Sequence, residues 1–135
     1  MDRLRSVTIY QTVMGISIVL NILVGIFILF APDTFAALLG QPRPSPETWP
    51  RHWGAQLIAI NLLYLPGLSD PIRNRFVNYL GILIRLSFAL FFFTQGRGFV
   101  TMGIYDGTFG LSLLATYLRV PRVTPPSSAA TRSSP

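Results

Sequence analysis

The chain has 135 residues, of which 50% are hydrophobic and 12% are charged, and its mean hydropathy is positive at +0.49. This composition excludes an ordinary water-soluble domain and predicts one domain whose solvent is the lipid bilayer. The absence of cysteine excludes disulfides, thiolate metal sites and cysteine nucleophiles. A net charge of +6 is explained below by membrane topology, and no nucleic-acid partner is predicted.

The first predicted helix covers residues 8–30, which contain no charged side chain and are long enough to cross about 30 Å of hydrocarbon. No small-x-small cleavage site follows it, so we interpret it as a retained helix and not as a signal peptide. Pro32 and Asp33 are expected to end it. A short interfacial helix is predicted from Asp33, as its capping residue, to Gly40 at its C-terminal end. The following segment, 41–50, carries four prolines and predicts an irregular outer loop.

The second predicted helix covers residues 53–69. It is short for a membrane span and is extended by Trp49 at the membrane interface, and Pro66 and Gly67 are expected to close it.

The third and fourth predicted helices, 76–95 and 98–118, each carry one ionisable residue near the centre, Arg85 and Asp106. Because only two residues separate the helices, they must form an antiparallel hairpin in which both charges lie at a similar depth. The sequence therefore predicts a buried Arg85–Asp106 pair. Two interpretations remain open, namely a structural clamp between the helices and a proton, ligand or quinone site.

The fold prediction is an all-α, integral-membrane four-helix bundle, residues 1–120, followed by a cytoplasmic tail rich in proline and serine, residues 121–135. The tail is expected to bind a partner chain. Arginines are concentrated before helix one, between helices two and three, and after helix four, which by the positive-inside rule predicts that both termini are cytoplasmic. Tryptophans 49 and 53 are then expected at the outer interface, and tyrosines 10, 64, 79 and 117 near the inner one. This distribution indicates a multi-pass protein of the bacterial inner membrane.

Small residues predict the helix-packing faces. Gly103 and Gly107 form a GxxxG pair that Gly110 continues, and Gly81 and Ala89 flank Arg85 at intervals of four on helix three. We expect these two faces to pack on each other within the chain, with dimerisation as the alternative.

Polar residues within the helices suggest a network around the charge pair: Tyr105 adjoins Asp106, and Asn21, Gln56 and Asn61 lie in helices one and two. The alternative is simple interhelical hydrogen bonding. His52 is the one histidine, which excludes a bis-histidine haem, and it is interpreted as a solvated interfacial residue with a quinone or chlorophyll-type pigment contact as the alternative. No metal site and no cofactor are predicted beyond such a contact.

Three short segments, together with the pattern of spans, resemble the small four-helix bacterial membrane proteins related to DoxX over roughly residues 8–118: Arg51-His52-Trp53-Gly54, Tyr79-Leu80-Gly81 with Arg85, and Tyr105-Asp106-Gly107. The resemblance implies association with a quinone-linked oxidoreductase, and it carries over no catalytic residue.

The sequence favours a non-catalytic accessory or stabilising subunit of a larger bacterial membrane complex, respiratory or photosynthetic, in contact with lipids and other membrane subunits. Two alternatives are kept: a quinone-binding subunit of a DoxX-like oxidoreductase, and a small carrier in which Arg85 anchors an anion.

Overall fold

The computed structural model describes residues 2–121, and the side chains from residue 4 onward. Residues 2–121 form six α-helices and one 3-10 turn in the following order: α1 Asp2–Phe30, α2 Pro32–Leu38, α3 Thr48–Leu63, α4 Leu65–Ser69, α5 Arg75–Thr94, the turn Arg97–Phe99, and α6 Val100–Tyr117. Within the described residues there is no strand, so the predicted all-helical class is confirmed. The predicted tail lies outside the described residues except for Pro121.

The long helices alternate in direction. Tyr10, near the start of α1, packs on Tyr117 at the end of α6 with ring centroids 4.8 Å apart, and Tyr79 in the first turns of α5 packs on the same ring. At the opposite end Trp53, near the start of α3, lies against Phe92 near the end of α5. We call these the tyrosine end and the tryptophan end. Both described chain ends therefore lie at the tyrosine end.

Helix α1 is central to the packing because it runs along both α3 and α6, while α5 packs along α6. The α1–α3 crossing is close: a Cβ built on Gly54 would lie 2.6 Å from the carbonyl oxygen of Gly25. By contrast, α3 and α5 meet mainly through side chains. Trp53 touches Phe92 at one end and the ring of Tyr64 covers Gly81 at the other, which leaves space between them.

Several predicted helix boundaries were wrong, although their positions along the chain were right. Helix α1 begins at Asp2 and not at residue 8, because Arg3, Leu4 and Arg5 are good helix formers and nothing in front of residue 8 breaks the helix. Helix α3 begins at Thr48 and includes Pro50, which is tolerated because the first turn needs no donor from that residue.

The second predicted helix is in fact two. Tyr64 separates α3 from α4, and Pro66 lies in the first turn of α4. Proline clashes with the carbonyl four residues earlier in a continuing helix, so the break precedes it. Pro66 therefore starts a short helix and does not end a long one.

The first connection also differs in its capping. Helix α2 begins at Pro32, with Ala31 as the N-cap residue, and the predicted cap Asp33 binds Arg43 at 2.7 Å. Gly40 has a left-handed φ of 64°, as a C-terminal glycine requires. Hydrogen bonds from Arg51 and Arg43 lower the pKa of the exposed Glu47, and these contacts tie the loop to α2 and α3.

The four tyrosines do not form an interfacial belt. Tyr10, Tyr64 and Tyr117 are buried between helices, and only Tyr79 is substantially exposed. Bulky rings with one polar atom fill the space where four helix ends converge, so their role is core packing at the tyrosine end.

In the described part of the chain, two helices are long and apolar enough to cross a membrane, Leu4–Phe30 and Arg75–Thr94. Helix α3 has 16 residues and α6 has 18, with Asp106 inside it. Membrane insertion of all four long helices therefore stays a prediction.

Candidate functional site: a buried ion pair beside a cavity

The site is built on the hairpin of α5 and α6. Gly96, with a left-handed φ of 98°, and the 3-10 turn after it reverse the chain, so the two helices lie antiparallel. Arg85 Nη1 then donates to Asp106 Oδ1 at 3.0 Å, and the two side chains are only 5% and 15% exposed. Burial makes each charge depend on the other, because an unpaired charge in a low-dielectric interior is costly.

Two further groups hold the guanidinium of Arg85. Asn21 of α1 is best oriented with its amide oxygen toward Arg85, which places Oδ1 2.6 Å from Nη2. The ring centroid of Phe109 lies 5.7 Å from Arg85 Cζ, within range of a cation–π contact. Arg85 is therefore neutralised by one partner and oriented by two others.

Asn21 extends the network to Tyr105 on α6 and to Asn61 on α3. In the same orientation of Asn21, its Nδ2 donates to the Tyr105 hydroxyl at 2.9 Å, and its oxygen lies 3.2 Å from the amide of Asn61. Asn61 Nδ2 donates in turn to the carbonyl of Leu57, 2.7 Å away. These contacts join α1, α3, α5 and α6 through polar atoms.

A cavity of about 230 Å³ adjoins this network. We call it the polar cavity; its polar lining residues are Asn21, Asn61, Tyr64, Arg85, Thr101, Tyr105 and Asp106. It lies in the space between α3 and α5, and most of its remaining wall is apolar. A pocket of this kind, apolar with a few convergent polar groups, is typical of small-molecule sites.

Tyr64 is the unsatisfied member of this lining. Its side chain is 93% buried, and its hydroxyl has no hydrogen-bond partner among the described residues. A buried hydroxyl without a partner costs about 1–3 kcal/mol, and the ring cannot move freely because it lies against Gly81. Tyr64 therefore brings an unpaired donor to the group of residues that line the cavity.

The structure brings together only part of the predicted site. Arg85, Asp106, Tyr105 and Asn61 meet at the polar cavity, but Gln56 is exposed and lies outside it. Gln56 is five residues before Asn61, and two residues that are five apart in an α-helix point to different faces of it.

His52 is also exposed, and it does not line the polar cavity. The predicted quinone or pigment contact at His52 therefore has no structural support.

Of the predicted packing residues, Gly107 lies opposite Ala89, with a built Cβ 3.6 Å away, and Gly103 lies under the ring of Phe93. Gly110 faces Leu86 and Arg85. Gly81 differs from the prediction, because it faces Tyr64 and not α6. The small residues thus let α5 and α6 approach each other and let Tyr64 close one end of the polar cavity.

Comparisons with protein-family models, with curated proteins and with solved structures give no match for this chain. The resemblance to the DoxX-related proteins stays a prediction, and the function is argued from the site alone.

Proposed function

We propose that this chain is a four-helix integral protein of the bacterial inner membrane that binds a small neutral carbonyl compound of the quinone type in the polar cavity. The single observation that carries the proposal is that Tyr64, whose buried hydroxyl has no partner among the described residues, lines a cavity beside the Arg85–Asp106 pair. In this proposal the protein has no reaction of its own and acts as an accessory subunit of a larger membrane complex.

Membrane insertion is supported by the outer surface of the bundle. Large apolar residues that are more than half exposed occur on all four long helices, among them Leu23, Leu63, Leu83, Leu90, Ile104 and Leu111. In water such a surface would cost about 25 cal/mol for each Å² left exposed, whereas lipid tails cover it without that cost. The two strongly apolar helices point the same way.

A neutral ligand fits the electrostatics better than an anion. Arg85 already has a carboxylate at 3.0 Å, so an anion in the cavity would have to compete with Asp106 for the guanidinium. The carrier alternative, with Arg85 as anion anchor, is therefore less well supported. A quinone carbonyl needs only a hydrogen-bond donor, and Tyr64 supplies one.

The second candidate is a purely structural subunit, and the closed geometry of the ion pair favours it. Arg85, Asp106, Asn21 and Tyr105 satisfy one another without a ligand. Such a network would fix the register of α1, α5 and α6 while binding nothing.

A quenching titration separates the two candidates. The wild-type protein in lipid nanodiscs is titrated with 2,3-dimethoxy-5-methyl-benzoquinone, which has no tail, and the fluorescence of its two tryptophans is followed. Trp53 lines the polar cavity, so bound quinone should quench it saturably.

Tyr64→Phe should weaken this binding about fivefold, because one hydrogen bond of about 1 kcal/mol is lost. Tyr79→Phe is the matched control, since Tyr79 is 42% exposed and does not line the cavity, and it should bind as the wild type does. Quenching that is linear and unsaturable in the wild type would leave the structural subunit as the better description.

A further inference from the structure

A second cavity lies next to the polar cavity at the tryptophan end. It measures about 500 Å³ and is enclosed by α2, the loop of residues 41–50, the start of α3 and the end of α5. We call it the loop cavity. Its lining includes the rings of Phe35, Trp49, Phe91 and Phe99 and several prolines, so it is suited to hydrocarbon.

The two cavities share a wall. Five residues line both of them: Phe35, Leu39, Trp53, Phe88 and Phe92. The polar groups of Tyr64, Arg85 and Asp106 border only the polar cavity. The loop cavity has polar lining residues of its own on the loop side, Gln41, Arg43 and Ser45, and the rest of its wall is apolar. A molecule that extended from one cavity into the other would therefore pass from the buried ion pair into a mostly apolar space.

The outer wall of the loop cavity is held in place by several contacts. Arg43 binds Asp33 at 2.7 Å, Arg51 donates to the carbonyl of Leu29 at 2.8 Å, and Gln41 packs closely on Gly98. These contacts tie the loop to α2 and to the α5–α6 connection, and they tie the start of α3 to the end of α1. The cavity beneath the loop is thus formed by anchored elements.

The loop cavity also reaches the outer surface of the bundle. Phe88 and Phe91 line it and are 46% and 52% exposed. In a membrane these side chains would face lipid, so a chain longer than the cavity could continue into the bilayer.

We infer that the two cavities form one elongated site for an amphipathic ligand, with a neutral carbonyl head at Tyr64 and a hydrocarbon chain in the loop cavity. The inference rests on the proposed function for the head and adds the position of the chain. It distinguishes a tailed membrane quinone from a small free carbonyl compound, because only the former would use both cavities.

The test uses two quinones with the same ring, one without a tail and one with a decyl chain. For each protein the ratio of their dissociation constants in identical nanodiscs measures the contribution of the tail. Partitioning of the decyl chain into lipid is the same for every variant, so it cancels when the ratios are compared.

Ala36 is half-buried and lines the loop cavity but not the polar cavity, so Ala36→Phe should fill part of the space for the tail. We expect the tail ratio to fall about fivefold or more, since each excluded methylene loses its apolar contact, while the tailless quinone binds as in wild type. Ala36→Leu, a smaller change, should give an intermediate ratio and covers the case in which the larger variant does not fold.

Ala37→Phe is the matched control, because Ala37 is the next residue in α2, is exposed and lines neither cavity. It should keep the wild-type ratio. An unchanged tail ratio in both Ala36 variants, with normal binding of the tailless quinone, would overturn the tail assignment alone. Failure of the tailless quinone to bind the wild type would instead remove the proposed function.

Discussion

Arg85 combines three kinds of contact that rarely occur together on one buried cation. Asp106 neutralises it, the amide oxygen of Asn21 accepts from it, and the face of Phe109 lies 5.7 Å away. Each contact fixes a different atom of the guanidinium, so the planar group has one orientation. This fixed orientation keeps the polar wall of the cavity in place.

Breaking the pair should cost more than removing it. Arg85→Leu or Asp106→Leu alone leaves one charge buried without its partner, and we expect each to lower stability by about 3 kcal/mol. The double variant replaces both charges by apolar groups and should be more stable than either single variant. Thermal unfolding of the four proteins in the same detergent gives the double-mutant cycle. Losses that simply add would show that the two side chains do not interact.

At the residue scale, the pair could be predicted but the groups around it could be predicted only in part. Arg85 and Asp106 belong to helices joined by a tight turn, so their register follows from their distances to it. Tyr64 and Phe109 offered no such signal. Tyr64 was expected at the membrane interface, and its position beside the pair depends on the break between α3 and α4, which directs its ring toward α5.

Helices α1 and α3 approach more closely than side chains would allow, because glycines face each other where they cross. A Cβ on Gly25 would lie 2.8 Å from the Gly54 carbonyl oxygen, and one on Gly54 would lie 2.6 Å from that of Gly25. Asn21 lies one turn from Gly25, and Asn61 lies two turns from Gly54 on the same face. The close crossing therefore brings the two amides within 3.2 Å.

Gly54→Ala should separate α1 from α3. The obstructing atoms are backbone atoms, which cannot rotate away, so we expect a loss of about 1–3 kcal/mol in stability. Gly15→Ala in α1 is the control, because its Cβ would meet only the Leu68 side chain at 3.9 Å. The control should be neutral or slightly stabilising through its better helix propensity. The midpoints of thermal unfolding measure both, and equal midpoints for the two variants would contradict a tight crossing at Gly54.

At the element scale, the long apolar stretches of the sequence predicted the helices, and helix-breaking residues predicted where the helices end. The positions of Gly40 and Gly96 were informative, since both have left-handed backbones at chain reversals. The start of α3 differs from the prediction because the four prolines between residues 41 and 50 predict an irregular loop, whereas α3 begins at Thr48 and accommodates Pro50 in its first turn. The close contact between Gly25 and Gly54 could not be predicted, because the two glycines lie on different helices. Spacing along the sequence does not define where those helices cross.

The whole molecule has two chemically different ends. Tyr10, Tyr79 and Tyr117 fill the end at which both described termini lie, and Arg75 lies over the Tyr117 ring at 5.8 Å. The tryptophan end carries the loop of residues 41–50, and both cavities are lined there by Phe35 and Trp53. The gap between α3 and α5, where the polar cavity lies, could not be predicted, because it depends on how the helices cross, which spacing along the sequence does not define.

The arrangement of the ends predicts a topology that can be measured. The arginines at the tyrosine end are residues 5, 73, 75 and 119, and those at the tryptophan end are residues 43, 51 and 97. Three more arginines, at sequence positions 3, 122 and 132, adjoin the termini. The excess of arginine is therefore on the side of the termini. By the positive-inside rule, the tyrosine end should face the cytoplasm.

Alkaline phosphatase, which is active only outside the cytoplasm, should be inactive when fused after Pro135 and active when inserted after Pro44 in the loop. Green fluorescent protein, which fluoresces when folded in the cytoplasm, should give the opposite pattern at the same two positions. An active phosphatase at the C-terminus with a dark fluorescent fusion there would invert the topology, and it would place the loop cavity on the cytoplasmic side.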